Sequence, residues 1–264
     1  MNKNPKVNVY ESGEIVFGIQ SPGANWIKLD GYEKEVSTNI SSKLITINWN
    51  TQTSNFTTTI NTVAYGNGIW VAGGQAGTLR TSTDTVNWNT QTSQFGTSAI
   101  NSVAYANGTW VAVGAGGALR TSTDAINWNT QTSQFGTSQI WSIAYGNGIW
   151  TAVGNSGTLR TSTDTINWNT QTSNFTTTIY SIAYGNGIWV AGGVGAALRN
   201  STDTINWSTQ TSQFGTSNIY SIAYGNGIWV AGGIGGQLRT SGNSQKFATP
   251  IVNPFYNVYG WMHL

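Results

Sequence analysis

The chain has 264 residues, enough to bury a substantial core in one or two domains. Only 8% are charged and the net charge is +2, so the charge balance gives no argument for nucleic acid or an anionic membrane surface as partner. Cysteine is absent, which excludes a disulfide framework and thiolate metal sites and leaves packing and hydrogen bonds to hold the fold.

Residues 1–42 stand apart from the rest of the chain and carry all four Glu (Glu11, Glu14, Glu33, Glu35). Residues 7–10 and 14–19 predict a hairpin around Glu11-Ser12-Gly13, and residues 26–29 a further strand. No apolar stretch follows Lys3 and Lys6, so a cleaved secretory signal is not expected.

From residue 43 to residue 241 the chain repeats with a period of 39 or 40 residues, marked by Trp70, Trp110, Trp150, Trp189 and Trp229. A second Trp recurs at Trp49, Trp88, Trp128, Trp168 and Trp207. The one-residue length change falls in the stretch after Gln52 and its equivalents, which marks a loop. Within one unit, residues 100–105 and 109–113 read as two strands joined by Asn107-Gly108, a pair suited to a type I′ reversal. Residues 114–117 form a Gly-rich turn, 118–122 a third strand, and 126–130 a fourth after Thr123-Asp124. β-branched and aromatic residues dominate these runs and no helical period appears. Four strands in forty residues is the size of one propeller blade.

The fifth copy stops after its third strand, while residues 44–50 match residues 165–169 with no complete repeat before them. The expected fold is therefore all-β: a five-bladed β-propeller of four-stranded blades over residues 43–241. The N-terminal strand would complete the last blade and close the ring, leaving few free edges. Residues 242–264 are strongly aromatic. They are expected to pack with residues 1–42 as a small β-rich module, or on a partner.

The run from Ser82 through Asp84 to Trp88 resembles the Asp-box of sialidase-like propeller repeats. It recurs around Asp124, Asp164 and Asp203, and the fifth copy has no Asp there. It departs from the family in having Val86, Ile126, Ile166 or Ile205 where Gly is usual, and in being one residue shorter before the Trp. The resemblance implies a folding device away from any active site. In physical terms, Ser and Asp side chains bond backbone groups in the turn.

Between residues 50 and 241 there is no Glu, Lys or His; only Arg80, Arg120, Arg160, Arg199, Arg239 and the four box Asp are charged. A sialidase set of Arg, Tyr, Asp and Glu is missing, paired carboxylates would have to be symmetry-equivalent, and His263 has no partner spacing for metal or triad chemistry. No catalytic residue, metal or cofactor is expected; the repeated Arg read as pairing with a box Asp or a carbonyl at the blade edge, with an anion-binding ring as the alternative.

The repeats differ in two places expected to share one face of the disc. The turn after the second strand includes Gln75 and Asn155, and an early first-strand position reads Asn61, Asn101, Trp141, Tyr180, Tyr220. Aromatic planes among amides suit stacking on sugar rings, while plain packing between blades is the competing reading. The function expected is a non-enzymatic virion component. It would be a tail- or fibre-type protein that binds a host surface glycan or supports other virion proteins, and forms homo- or hetero-oligomers through its terminal segments. A free multivalent lectin with up to five similar sugar sites and a protein-interaction scaffold are the alternatives. Neither nucleic-acid binding nor membrane insertion is expected. The location is the virion or, failing that, the cytoplasm or the exterior without a signal peptide.

Overall fold

A computed structural model of the chain describes residues 26–29, 32–35 and 50–242. The first two segments form a two-stranded antiparallel sheet, β1 (Trp26–Leu29) with β2 (Tyr32–Glu35), Trp26 facing Glu35 in the register. The strand at Trp26 lies where the sequence places it, and its partner strand is one that the residue pattern does not announce. The proposed hairpin at 7–19, the ring-closing strand at 44–49 and the aromatic segment from residue 243 lie outside the described residues.

Residues 60–242 form five antiparallel sheets in sequence order, the blades of a five-bladed β-propeller. The first blade is β3 (Ile60–Gly66), β4 (Ile69–Gly74), β5 (Leu79–Ser82) and β6 (Asn89–Gln91). The second is β7 (Ile100–Ala106), β8 (Thr109–Gly114), β9 (Leu119–Ser122) and β10 (Asn129–Gln131), and the third is β11 (Ile140–Gly146), β12 (Ile149–Gly154), β13 (Leu159–Ser162) and β14 (Asn169–Gln171). The fourth is β15 (Ile179–Gly185), β16 (Ile188–Gly193), β17 (Leu198–Ser201) and β18 (Ser208–Thr209). The fifth has three strands among the described residues, β19 (Ile219–Gly225), β20 (Ile228–Gly233) and β21 (Leu238–Gly242).

The strands follow from the local sequence. Asn107 and Gly108 both take positive φ, 48° and 75°, as a type I′ hairpin requires, so β7 and β8 pair without splaying. In β8 the residues from Trp110 to Gly114 are all buried, because a middle strand is covered on both faces by neighbouring blades. A single 3₁₀ turn (Ala115–Gly117) then leads into β9.

The fourth strand is shorter than the sequence pattern predicts. In the second blade it covers Asn129–Gln131 rather than 126–130, because the Asp124 turn claims the preceding residues.

Each joint between blades is an apolar cluster. Val71 and Leu79 of the first blade meet Ile100, Val103, Trp110 and Trp128 of the second, and the next two joints repeat the set. Removing one such Trp would cost about 3–5 kcal/mol. At the narrow end the first strands pack in succession, β3 on β7, β7 on β11, β11 on β15 and β15 on β19. These inner strands carry the position at which the repeats vary most.

Candidate functional site

The second residue of every inner strand is a β-bulge. In the third blade Ile140 faces Gly154 and Ser142 faces Val153, so Trp141 is the extra residue between two paired ones. Asn61, Asn101, Tyr180 and Tyr220 hold the same place in their blades. A bulge releases its residue from strand alternation and re-aims the side chain. The sequence shows the variability of this position but not the bulge, because Asn, Trp and Tyr are ordinary strand residues.

Two kinds of side chain occupy the position, and they act differently. Asn61 donates its amide to the Ile100 carbonyl at 2.9 Å, and Asn101 donates to the Ile140 carbonyl at 2.7 Å. These amides tie a blade to the next one. From the third blade onward the tie becomes a stack of rings. Trp141 and Tyr180 meet edge to face with centroids 5.4 Å apart, and Tyr180 and Tyr220 tilt against each other at 4.9 Å. Contact of this kind contributes about 0.5–1.5 kcal/mol per pair beyond the buried area. The packing expected of aromatics between blades is therefore present. Yet Trp141 and Tyr180 remain half-exposed and Tyr220 is exposed, so the ladder also presents ring surface to solvent.

An amide rim surrounds the ladder. Trp141 Nε1 donates to Asn155 Oδ1 at 2.8 Å, which brings the turn after β12 to the bulge of β11. Asn218 Nδ2 donates to the Tyr220 hydroxyl at 3.3 Å, and Asn218 Oδ1 accepts from the Gly195 backbone N–H at 3.0 Å. Asn218 belongs to the site and escaped the sequence reading, although its place varies between copies (Thr59, Ala99, Gln139, Thr178, Asn218) and so carried the same signal as the bulge position. Gln75 is exposed in the corresponding turn of the first blade, where Asn61 rather than an aromatic stands.

The Ser-Thr-Asp turns form a second feature. Asp84 Oδ1 accepts from Ser82 Oγ (3.0 Å), Val86 N–H (2.9 Å) and Asn87 N–H (2.8 Å), while Oδ2 accepts from Asn87 Nδ2 at 2.7 Å. Trp88 Nε1 donates to the Thr85 carbonyl at 3.1 Å, which fixes the indole over the turn. Asp124, Asp164 and Asp203 repeat the pattern. The Asn87 backbone N–H, then its side-chain amide and the Val86 N–H, hold the Asp84 carboxyl well below the usual carboxylate range. A carboxylate so bonded is fixed as an anion, the opposite of what proton transfer near neutral pH needs. The Asn that grips Oδ2 (Asn87, Asn127, Asn167, Asn206) is a further member of the motif that the sequence reading missed.

The Arg bond carbonyls of the entering loop. Arg120 Nε and Nη2 donate to the Gln94 carbonyl at 2.9 and 2.6 Å, with the guanidinium 5.0 Å from the Phe95 ring centre. Arg160 and Arg239 bond the Gln134 and Gln213 carbonyls and lie over Phe135 and Phe214. Of the two partners expected, the carbonyl is used by Arg80, Arg120, Arg160 and Arg239, whereas Arg199 donates to the Thr209 hydroxyl; Arg80 also donates to the Thr90 hydroxyl.

Among the described residues no three His, Cys, Asp or Glu gather as a metal would require, and no helix is long and apolar enough to cross a membrane.

No family model and no curated protein matches the chain. Solved structures do. One, described as YCF48 bound to a D1 peptide, superposes with a TM-score of 0.56 at 18% identity, covering 71% of this chain and 66% of that one. A computationally designed protein, Ika8, gives a TM-score of 0.54 at 16% identity, covering 69% of this chain and 57% of that one. This chain thus spans less than two thirds of the length of either. At such identities the likeness is one of fold, and the fold is the β-propeller.

Proposed function

We propose that this chain is a non-enzymatic recognition protein whose propeller holds the Trp141–Tyr180–Tyr220 ladder as a platform for a partner. The observation that carries this reading is the ladder itself. Three consecutive blades place rings at a bulge where the first two blades place Asn, and those rings keep exposed faces beside the amides of Asn155 and Asn218. Ring faces flanked by amide donors and acceptors suit a sugar ring, whose C–H faces stack while its hydroxyls bond.

In this reading the protein is a tail- or fibre-type part of a virion that meets a host surface glycan, and the virion is its location. The absence of Cys, the sparse charge and the aromatic segment at 242–264 support that setting. The hydrogen-bonded Ser–Asp–Trp turns support kinship with Asp-box repeats. Five equivalent lectin sites are disfavoured, because Asn61 and Asn101 are spent on neighbouring carbonyls.

One observation favours a second reading, an extended peptide as ligand: the structurally similar YCF48 is described as bound to a peptide. A panel of surface oligosaccharides and a panel of extended peptides, each titrated against the full chain and its Tyr180→Ala variant, separates the two. Saturable binding to one panel that weakens in the variant supports the platform. Binding to neither panel, or binding indifferent to Tyr180, defeats it.

A further inference from the structure

The four joints between blades share one set of contacts, and the first and fifth blades carry its two halves unmatched. At three of the four joints the following blade lays an inner-strand Tyr over a Gly at the end of the preceding inner strand, and at the second joint Ala106 and Tyr145 pack against one cluster. Tyr105 lies over Gly66, Tyr184 over Gly146 and Tyr224 over Gly185, where a Cβ would fall 2.1–2.3 Å from the ring. A backbone N–H of the following blade also donates to a hydroxyl of the preceding one: Val103 to Thr62, Ile143 to Ser102, Ile182 to Ser142 and Ile222 to Ser181, at 3.0–3.4 Å. An apolar residue of the following inner strand (Val103, Ile143, Ile182, Ile222) is buried at each joint.

Among the described residues nothing covers the receiving half on the fifth blade. Gly225 has no atom of the described residues within 4 Å of its Cβ position, Ser221 is exposed, and Leu238 is 64% exposed where Leu79, Leu119 and Leu159 are buried. Among the described residues nothing lies beneath the inserting half on the first blade. Val63 is 55% exposed and Tyr65 58%, against 4–7% for the four equivalents of Val63. Among the described residues β3 and β19 share none of the packing that joins every other consecutive pair of inner strands. Apolar residues bare on both ends are a liability in a chain with so little charge.

We propose that these ends are a docking surface for a second copy of this chain, the first blade of one copy seating on the fifth blade of another. The contact continues an interface already made four times within the chain: Tyr65 would cover Gly225, and the Val63 N–H would meet the Ser221 hydroxyl. Its two halves lie on different parts of the molecule, so the association is heterologous and propagates head to tail. It uses blade faces, not the terminal segments, and does not depend on what the aromatic ladder binds.

Light scattering after size-exclusion chromatography on the full chain tests it. Val63→Glu spoils the inserting half and Gly225→Trp fills the receiving half. Both sites are open among the described residues, so circular dichroism should match the parent, and melting should match it at dilutions where the parent is itself a monomer. The parent is expected to give a multiple of its 28.2 kDa mass. Each variant alone is expected to be a monomer. An equal mixture of the two should give a dimer that does not grow, because only one good face remains on each chain. A monomeric parent, multimers that persist in either variant, or a mixture that stays monomeric would each overturn the proposal.

Discussion

Trp141 Nε1 and Asn155 Oδ1 lie 2.8 Å apart, joining the bulge of β11 to the turn that follows β12. The bond sets the plane of the first ring in the ladder. Asn155→Ala leaves the indole N–H to water. It should lower stability by about 0.5–1.5 kcal/mol in urea unfolding, the usual net worth of one such bond. The tryptophan emission of the folded variant should shift to the red as the ring loosens.

Thr151 stands where the other blades have Val71, Val111, Val190 and Val230. It is fully buried and its hydroxyl has no hydrogen-bond partner among the described residues. Restoring the repeat residue removes a desolvated polar atom at constant shape. Thr151→Val should therefore stabilise the protein by about 1–2 kcal/mol, read as a higher urea midpoint at unchanged slope.

Gly146 and Gly225 hold the same repeat position with opposite surroundings. A side chain at Gly146 runs into Tyr184, whereas Gly225 has open space among the described residues. Ala106 at this place in the second blade shows that a methyl group is accommodated, so a larger probe is needed. Gly146→Leu should cost about 1–3 kcal/mol of stability and Gly225→Leu almost nothing. Equal losses at both positions would mean that the fifth blade is already covered within the single chain.

Much of this was legible in the sequence, and the reasons are specific. The 39- or 40-residue spacing of Trp70 and its copies gives the blade, and Asn107-Gly108 gives the hairpin, because both signals are local. The variable positions of the repeat also place Trp141 and Asn155 on one face, and the two are hydrogen-bonded. Three features were not legible. The bulge at Trp141 arises from a register shift against β12, a pairing that no single strand encodes. The grip of Asn87 on Asp84 depends on the closed turn. The bare faces at Val63 and Gly225 are invisible in repeats whose sequences match their buried counterparts.

The box carboxylates make stability depend on acid. Each Asp has its folded pKa lowered, above all by a backbone N–H of the turn, then by the Asn side chain. An unfolded Asp titrates near about 3.9. Their stabilisation is therefore complete above about pH 5 and is lost as the pH falls through the unfolded value toward the lower folded one. The urea midpoint should fall between neutral pH and pH 3. Asp124→Asn should start lower at neutral pH and fall less on acidification, whereas a parallel drop would show that this carboxylate contributes nothing.

The central claim is that the exposed rings of Trp141, Tyr180 and Tyr220 receive the partner. The most direct measurement is the affinity of the parent and the Tyr180→Ala and Asn101→Ala variants for whichever oligosaccharide or peptide binds the full chain. The platform predicts about 2- to 13-fold weaker binding for Tyr180→Ala, the equivalent of 0.5–1.5 kcal/mol, and parental affinity for Asn101→Ala, whose amide is engaged with the Ile140 carbonyl. Equal losses in both variants, or none in Tyr180→Ala, would contradict it.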